Sequence, residues 1–355
     1  MFQISNIPPG RVSILKIQKG VGMRISWLAS AGLIVISCLT STSMGGNVKQ
    51  LSKANLGKAR EFIMKQGRPL EQALYRLRFE GGSADAVRAA LQDYQNPDGG
   101  FGKALEPDLR SPESSVLATL RAFQALTAVK TPPDHPMIKK AMVYLASTFD
   151  ESKGVWRIIP PAAGKYPHAP WWNQEQLEQA FGGFQVLPRA ELLGYLFLFD
   201  PPSFPMDRRL NLVKAVAESL ENVSDAQAGL AVDSCARLYE TGRVPAEYSN
   251  RIYRKLVQLV PRAVEQDPEK WKQYCLKPAW LVRTPESPFL PVIASAVERN
   301  LDYEIDNQSE DGSWLPNWNW YGAFPEAWPA AEKEWRSVLT IQTLETLQAF
   351  GRVER

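Results

Sequence analysis

One seven-residue pattern constrains this chain more than any other feature. Gln95-Asn-Pro-Asp-Gly-Gly-Phe101 closes one helical stretch, and Gln308-Ser-Glu-Asp-Gly-Ser-Trp314 closes another far downstream. Both read Gln, two residues, Asp-Gly, one residue, aromatic. A weaker version runs from Tyr144 to Gly154-Val155-Trp156. In such a turn Gly99 and Gly312 supply a positive φ that other residues adopt at a cost. Asp98 and Asp311 hydrogen-bond the turn backbone. Gln95 and Gln308 satisfy free groups at a helix end, while Phe101 and Trp314 stack over it. A helix closed repeatedly by one turn is the mark of a helical-hairpin array, whose units bury their apolar faces only by stacking on each other.

The intervening sequence agrees. Val116, Leu117, Leu120, Phe123 and Leu126 recur at helical spacing, as do Leu210, Val213, Val216, Ala217 and Leu220. Ile252, Leu256, Leu259 and Val260 form a third such series, and Val338, Leu339, Ile341, Leu344 and Leu347 a last one. Alternating strand patterns are scarce, and proline and glycine pairs fall between the helical runs. No low-complexity linker interrupts them. The reading is one all-α domain over 47–355, with about twelve helices in six hairpins.

Residues 1–46 read differently. Ile25–Leu39 carries no charge but is shorter than the roughly 20 residues a spanning helix needs. Arg24 before it and small residues after it give the three-part pattern of an export signal; a retained hydrophobic anchor is the alternative. Val35-Ile36-Ser37-Cys38 resembles a lipobox, in which Cys38 would be lipidated. Met23 is a second possible translation start. The expected location is exported, periplasmic or membrane-anchored, with membrane contact through this segment alone. In that setting Cys235 and Cys275 are free to pair, though spacing does not require it.

The Gln-x-x-Asp-Gly-x-aromatic turns resemble the QW-type repeats of terpenoid cyclases and protein prenyltransferase β-subunits. That resemblance implies an α/α toroid: inner and outer helices around a central cavity, holding a small apolar, isoprenoid-type ligand. The superfamily's chemistry is not matched in the same way. The Asp-x-Asp-Asp acid motif and the Asp-Asp-x-x-Asp magnesium motif are both missing. Asp233-Ser234-Cys235 matches part of the prenyltransferase zinc site, but no histidine follows it, and an ordinary buried cysteine is the plainer reading. With only His135 and His168 in the chain, no metal and no cofactor is expected. Nucleotide fingerprints are also missing. The 41 Lys+Arg nearly balance 38 Asp+Glu, and no basic block stands out beyond the N-terminus, so no nucleic-acid partner is expected.

Two regions carry candidate chemistry. In Leu105-Glu106-Pro107-Asp108-Leu109-Arg110, two carboxylates and an arginine lie within five residues beside a proline. If Glu106 or Asp108 faces a cavity, burial and its like-charged neighbour would keep it protonated, fit to act as an acid. The competing reading pairs one of them with Arg110 as a plain ion pair. Five of the eleven tryptophans fall between Trp314 and Trp335. Trp314, Trp318, Trp320 and Trp328 form either a ligand wall or a packed closure between the last and first repeats. Glu326 adds a carboxylate there. Tyr166-Pro167-His168-Ala169-Pro170-Trp171-Trp172 offers a second aromatic wall, with His168 as an acid–base or a hydrogen-bonded loop residue.

Three functions fit. The first is a metal-independent, acid-catalysed terpenoid cyclase-like protein using Glu106 or Asp108. The second is an exported carbohydrate-active toroid using two carboxylates such as Glu106 and Glu326. The third is a non-catalytic binding or scaffold protein.

Overall fold

The computed structural model describes residues 48–354; the export, anchor and lipobox expectations for residues 1–46 lie outside them. The described chain is all-α, with a single two-stranded sheet, β1 (Phe149–Asp150) antiparallel to β2 (Val155–Trp156). Thirteen helices occur among these residues, one more than the spacing predicts, and the four-residue α6 (Leu177–Ala180) sits in the irregular stretch between β2 and α7. None is long and apolar enough to cross a membrane.

Side-chain caps begin several helices. Ser52 accepts from the Asn55 amide at the start of α1 (Lys53–Gln66), Ser83 from Ala86 for α3 (Ala84–Gln92), and Ser115 from Ala118 for α4 (Val116–Ala128). The helices then differ in how much of their surface is covered. α7 (Arg189–Phe199) is buried at every position except Leu198, and α4 is buried on most of its surface. α1, α3 and α10 (Ala246–Ala263) each bury one stripe and expose the rest.

Neighbours follow one another in order. α2 (Pro69–Phe79) packs on α1 and α3, α3 on α4, and α4 on α5 (Pro136–Ser147) and α7. α7 packs on α8 (Met206–Glu221) and α9 (Ala228–Glu240), and both of these pack on α10. α10 then meets α12 (Leu290–Asp306), which packs on α11 (Pro278–Leu281). Finally α13 (Trp328–Ala349) returns to α1 and α2. The chain ends join as well: the Leu51 amide donates to the Arg352 carbonyl at 2.7 Å, and the Glu354 amide donates to the Leu51 carbonyl at 3.0 Å.

The two strong turns are built alike. Gln95 Nε2 donates to the Gly99 carbonyl and to the Met137 carbonyl, both at 2.9 Å, tying its own turn to the first turn of α5. Gln308 Nε2 donates to Gly312 at 2.9 Å and to Asn55 at 3.0 Å, tying the last turn to α1. Asp98 and Asp311 each accept the amide two residues on, from Gly100 and Ser313. The Phe101 and Trp314 amides donate to Thr119 and Thr340, each at 3.1 Å. Gly99 and Gly312 sit at φ +92° and +91° and press on backbone: an added Cβ would lie 2.3 Å from Lys140 O and 2.2 Å from Lys58 C. In the weak copy Trp156 Nε1 donates to the Leu145 carbonyl, as Trp314 Nε1 donates to Glu304, both at 2.8 Å.

Candidate functional site

A small apolar cluster beside the main core sets the site. Leu109, Leu117, Ile158, Ile159, Trp172 and Trp320 are buried in it, with Trp171, Phe324 and Trp328 packed on its edge. It draws the 157–184 stretch and the 320–331 stretch over the loop that carries Glu106 and Asp108. The loop is pinned by backbone bonds. The Ala169 amide donates to the Asp108 carbonyl at 2.9 Å, and the Arg110 amide donates to Pro167 at 3.0 Å.

Both loop carboxylates are buried, Glu106 at 2% and Asp108 at 3% exposure. Glu106 pairs with Arg121 of α4, whose Nε lies 2.6 Å from Oε2. Asp108 Oδ1 accepts from Trp320 Nε1 at 2.7 Å across 212 positions of sequence. Its Oδ2 makes no hydrogen bond of ordinary geometry among the described residues. Burial pushes the Asp108 carboxyl up to about 7, and the Glu106 carboxylate adds to that; the Trp320 bond pulls the other way. The buried Trp335 indole favours the ionised form too, although its N–H makes no hydrogen bond of ordinary geometry.

Arg110 does not join this pair. Its guanidinium grips Glu334 through Nη1 at 2.5 Å and Nη2 at 3.1 Å, and Arg68 reaches the same carboxylate at 3.5 Å while also pairing with Glu71. The local ion pair expected within the loop is thus replaced by one spanning 224 positions.

A polar strip continues from Arg121 across α4, α7 and α9. Arg121 Nη1 donates to Gln124, and Gln124 Nε2 donates to Glu191 at 2.9 Å. Tyr195 donates to the same Glu191 oxygen at 3.0 Å. Burial raises the Glu191 pKa, and nearby Asp233 adds to the effect. Asp233 pairs with Arg237 at 3.2 Å, and Arg237 also holds Glu240 at 2.7 Å. Facing the strip, Trp335, Trp318 and Trp280 stand edge to face with centroids 5.0 and 6.1 Å apart, and Tyr274 meets Trp318 at 6.4 Å. The Arg121 guanidinium lies over Trp335 at 5.1 Å.

These groups border open space. Tyr274 is 68% exposed and Arg121 keeps 30% of its side chain accessible. Through Trp318 and Trp335 the two side chains stand on one accessible wall, Tyr274 against Trp318 and Arg121 over Trp335. Burial raises the Tyr274 pKa, and the charges of Asp108 and then Asp233 add to the rise.

The remaining expected residues are distributed as follows. His168 is buried, its Nδ1 donating to the Tyr166 carbonyl at 2.6 Å and its ring 5.3 Å from Phe324. Trp172 stacks on Phe181 at 5.1 Å, and Trp328 lies 5.6 Å from Trp320. Trp314, expected on the ligand wall, is 3% exposed and belongs to the repeat turn, because its N–H is taken by Glu304. Glu326 is exposed and makes no hydrogen bond or ion pair among the described residues. Asp233 and Cys235 cannot act together: two residues apart on α9, they face different sides, and Cys235 is fully buried. Both Cys235 and Cys275 are free.

Glu191, Arg237, Tyr274 and Trp280 were not legible as part of a site, and Asp233 stood out only beside Cys235, because each sits in an ordinary helix or loop and the groups come from three separate stretches of sequence. Among the described residues no three His, Cys, Asp or Glu side chains converge as metal ligands. A groove of about 210 Å³ between 180–187 and helices α8 and α9 carries no titratable side chain. No protein-family model, curated protein or solved structure matches this chain.

Proposed function

We propose that the protein is an acid catalyst on an α/α toroid, hydrolysing glycosidic bonds with Asp108 as the proton donor. One observation carries the proposal: a carboxyl that burial and the neighbouring Glu106 push up to about 7, with one oxygen free of a hydrogen bond, close to a wall of indoles and carboxylates. A general acid works best with its pKa near the working pH. Asp108 Oδ2 gives its proton to the glycosidic oxygen as the bond to the anomeric carbon breaks. Water adds to that carbon, and Asp233 takes the water's proton. Glu106, held by Arg121, keeps the Asp108 pKa high after each turnover.

Support for the toroid comes from the way the repeats dock. The first strong turn ties to the next outer helix and the last ties back to the first, while α13 packs on α1. Support for a sugar comes from the wall, since Asp233, Arg237 and Glu191 match a hydroxyl-rich ligand and Trp318 and Trp280 offer flat platforms. Export or anchoring through 25–39, with lipidation at Cys38, belongs to the same reading, because a polysaccharide substrate lies outside the cell.

The test is incubation of the purified protein with a panel of glycans and prenyl compounds. Release of reducing ends, lost about 100-fold or more in Asp108→Asn, is the expected result. Turnover of prenyl compounds alone would favour the second reading, a metal-independent terpenoid cyclase. That reading draws on the indoles of Trp320 and Trp335 beside the same acid, placed to stabilise a carbocation. Neither binding nor turnover of any compound would leave a scaffold protein.

A further inference from the structure

One cation on the cleft wall is unmatched. Arg121 has Glu106, Arg237 has Asp233 and Glu240, and Arg110 and Arg68 share Glu334. Arg283, just past α11, is exposed and donates only Nε, to the Trp280 carbonyl at 3.0 Å. Its terminal nitrogens meet no carboxylate among the described residues. The acids that reach it through space, Asp233, Glu191 and Glu240, already serve Arg237 or the Gln124–Tyr195 pair. Surrounding protein and the like charge of Arg237 both work against its own charge.

The acids around it are taken: Arg121 holds Glu106, and Arg237 holds both Asp233 and Glu240. Arg283 is the guanidinium of this wall whose terminal nitrogens are left unheld by any carboxylate among the described residues. It bonds the Trp280 carbonyl, which Arg237 also bonds at 2.8 Å, and the Trp280 indole lies two steps of 6.1 and 5.0 Å from Trp335 by way of Trp318. A guanidinium offers a planar fork matched to a carboxylate.

We infer that the cleft takes acidic sugars, with Arg283 binding the carboxylate of a uronate unit that lies along the Trp280–Trp318 row from the bond cleaved at Asp108. This rests on the glycan reading proposed above and names its substrate class. Neutral glycans would leave the Arg283 fork facing water.

Titration calorimetry of the protein with oligouronates (galacturonate, glucuronate and mannuronate) against their neutral hexose counterparts tests it. The expected result is a preference of about 10-fold or more for a uronate, weakening with salt. Arg283→Gln abolishes that preference and Arg283→Lys restores part of it, with melting temperatures close to that of the parent. Equal affinity for uronate and neutral sugars, or a uronate preference that survives Arg283→Gln, overturns the inference and leaves the glycan reading standing. Failure of every sugar to bind overturns both. Binding of a prenyl diphosphate in place of sugars, lost in Arg283→Gln, also overturns both by assigning Arg283 to a phosphate.

Discussion

At the scale of single residues, the account turns on how three side chains treat one proton. Asp108 is raised by burial and by Glu106, and lowered by the Trp320 bond. Activity that needs the protonated acid is present below about pH 7 and declines as pH rises through that value. Trp320→Phe removes a bond that favours the ionised form, so the alkaline limb of the pH–rate profile moves upward; an unchanged or lowered limb contradicts this. Stability follows the same sign. A carboxyl with a folded pKa above its unfolded value near 3.8 keeps its proton in the native state after the unfolded chain has lost it. Stability therefore declines between about pH 4 and 7, and Asp108→Asn flattens that slope in thermal melts.

At the scale of elements, the repeat turn is the unit that sets where helices dock. Gly99→Ala sets a Cβ against Lys140 O at φ +92°, so a loss of about 2–4 kcal/mol is expected in denaturant melts. Gly154→Ala, also at positive φ but with only Leu212 Cδ2 near at 3.9 Å, costs about 1 kcal/mol. Equal losses at the two sites would show that close approach to α5 does not matter. Gln308→Ala strands the Gly312 and Asn55 carbonyls and costs about 1–3 kcal/mol. These turns were readable from sequence because Gln, Asp, Gly and the aromatic act within seven residues. Helices α4, α8, α10 and α13 were readable from their apolar spacing. Glu106 and Asp108 stood out for the same local reason. Their partners did not: nothing in the sequence couples Asp108 to Trp320, or Arg110 to Glu334, across more than 200 positions. Trp314 was misplaced because an aromatic in a dense tryptophan run looks the same whether its N–H is free or taken by Glu304.

At the scale of the whole molecule, the repeats bring polar side chains of three helices to one wall, while the apolar stripes face each other. A mixed wall of this kind changes what an α-helical array can hold. The Arg121, Gln124, Glu191 and Asp233 strip runs through α4, α7 and α9, helices otherwise packed in core, and buried polar groups survive there only because each has partners. The central claim is that the folded chain keeps one carboxyl protonated near neutrality at that wall. Carboxyl carbon NMR titration of the aspartates in the intact protein, alongside Asp108→Asn, measures it without needing a substrate. One resonance titrating near 7 and lost in the variant is the predicted result; every aspartate titrating below about 5 would contradict it.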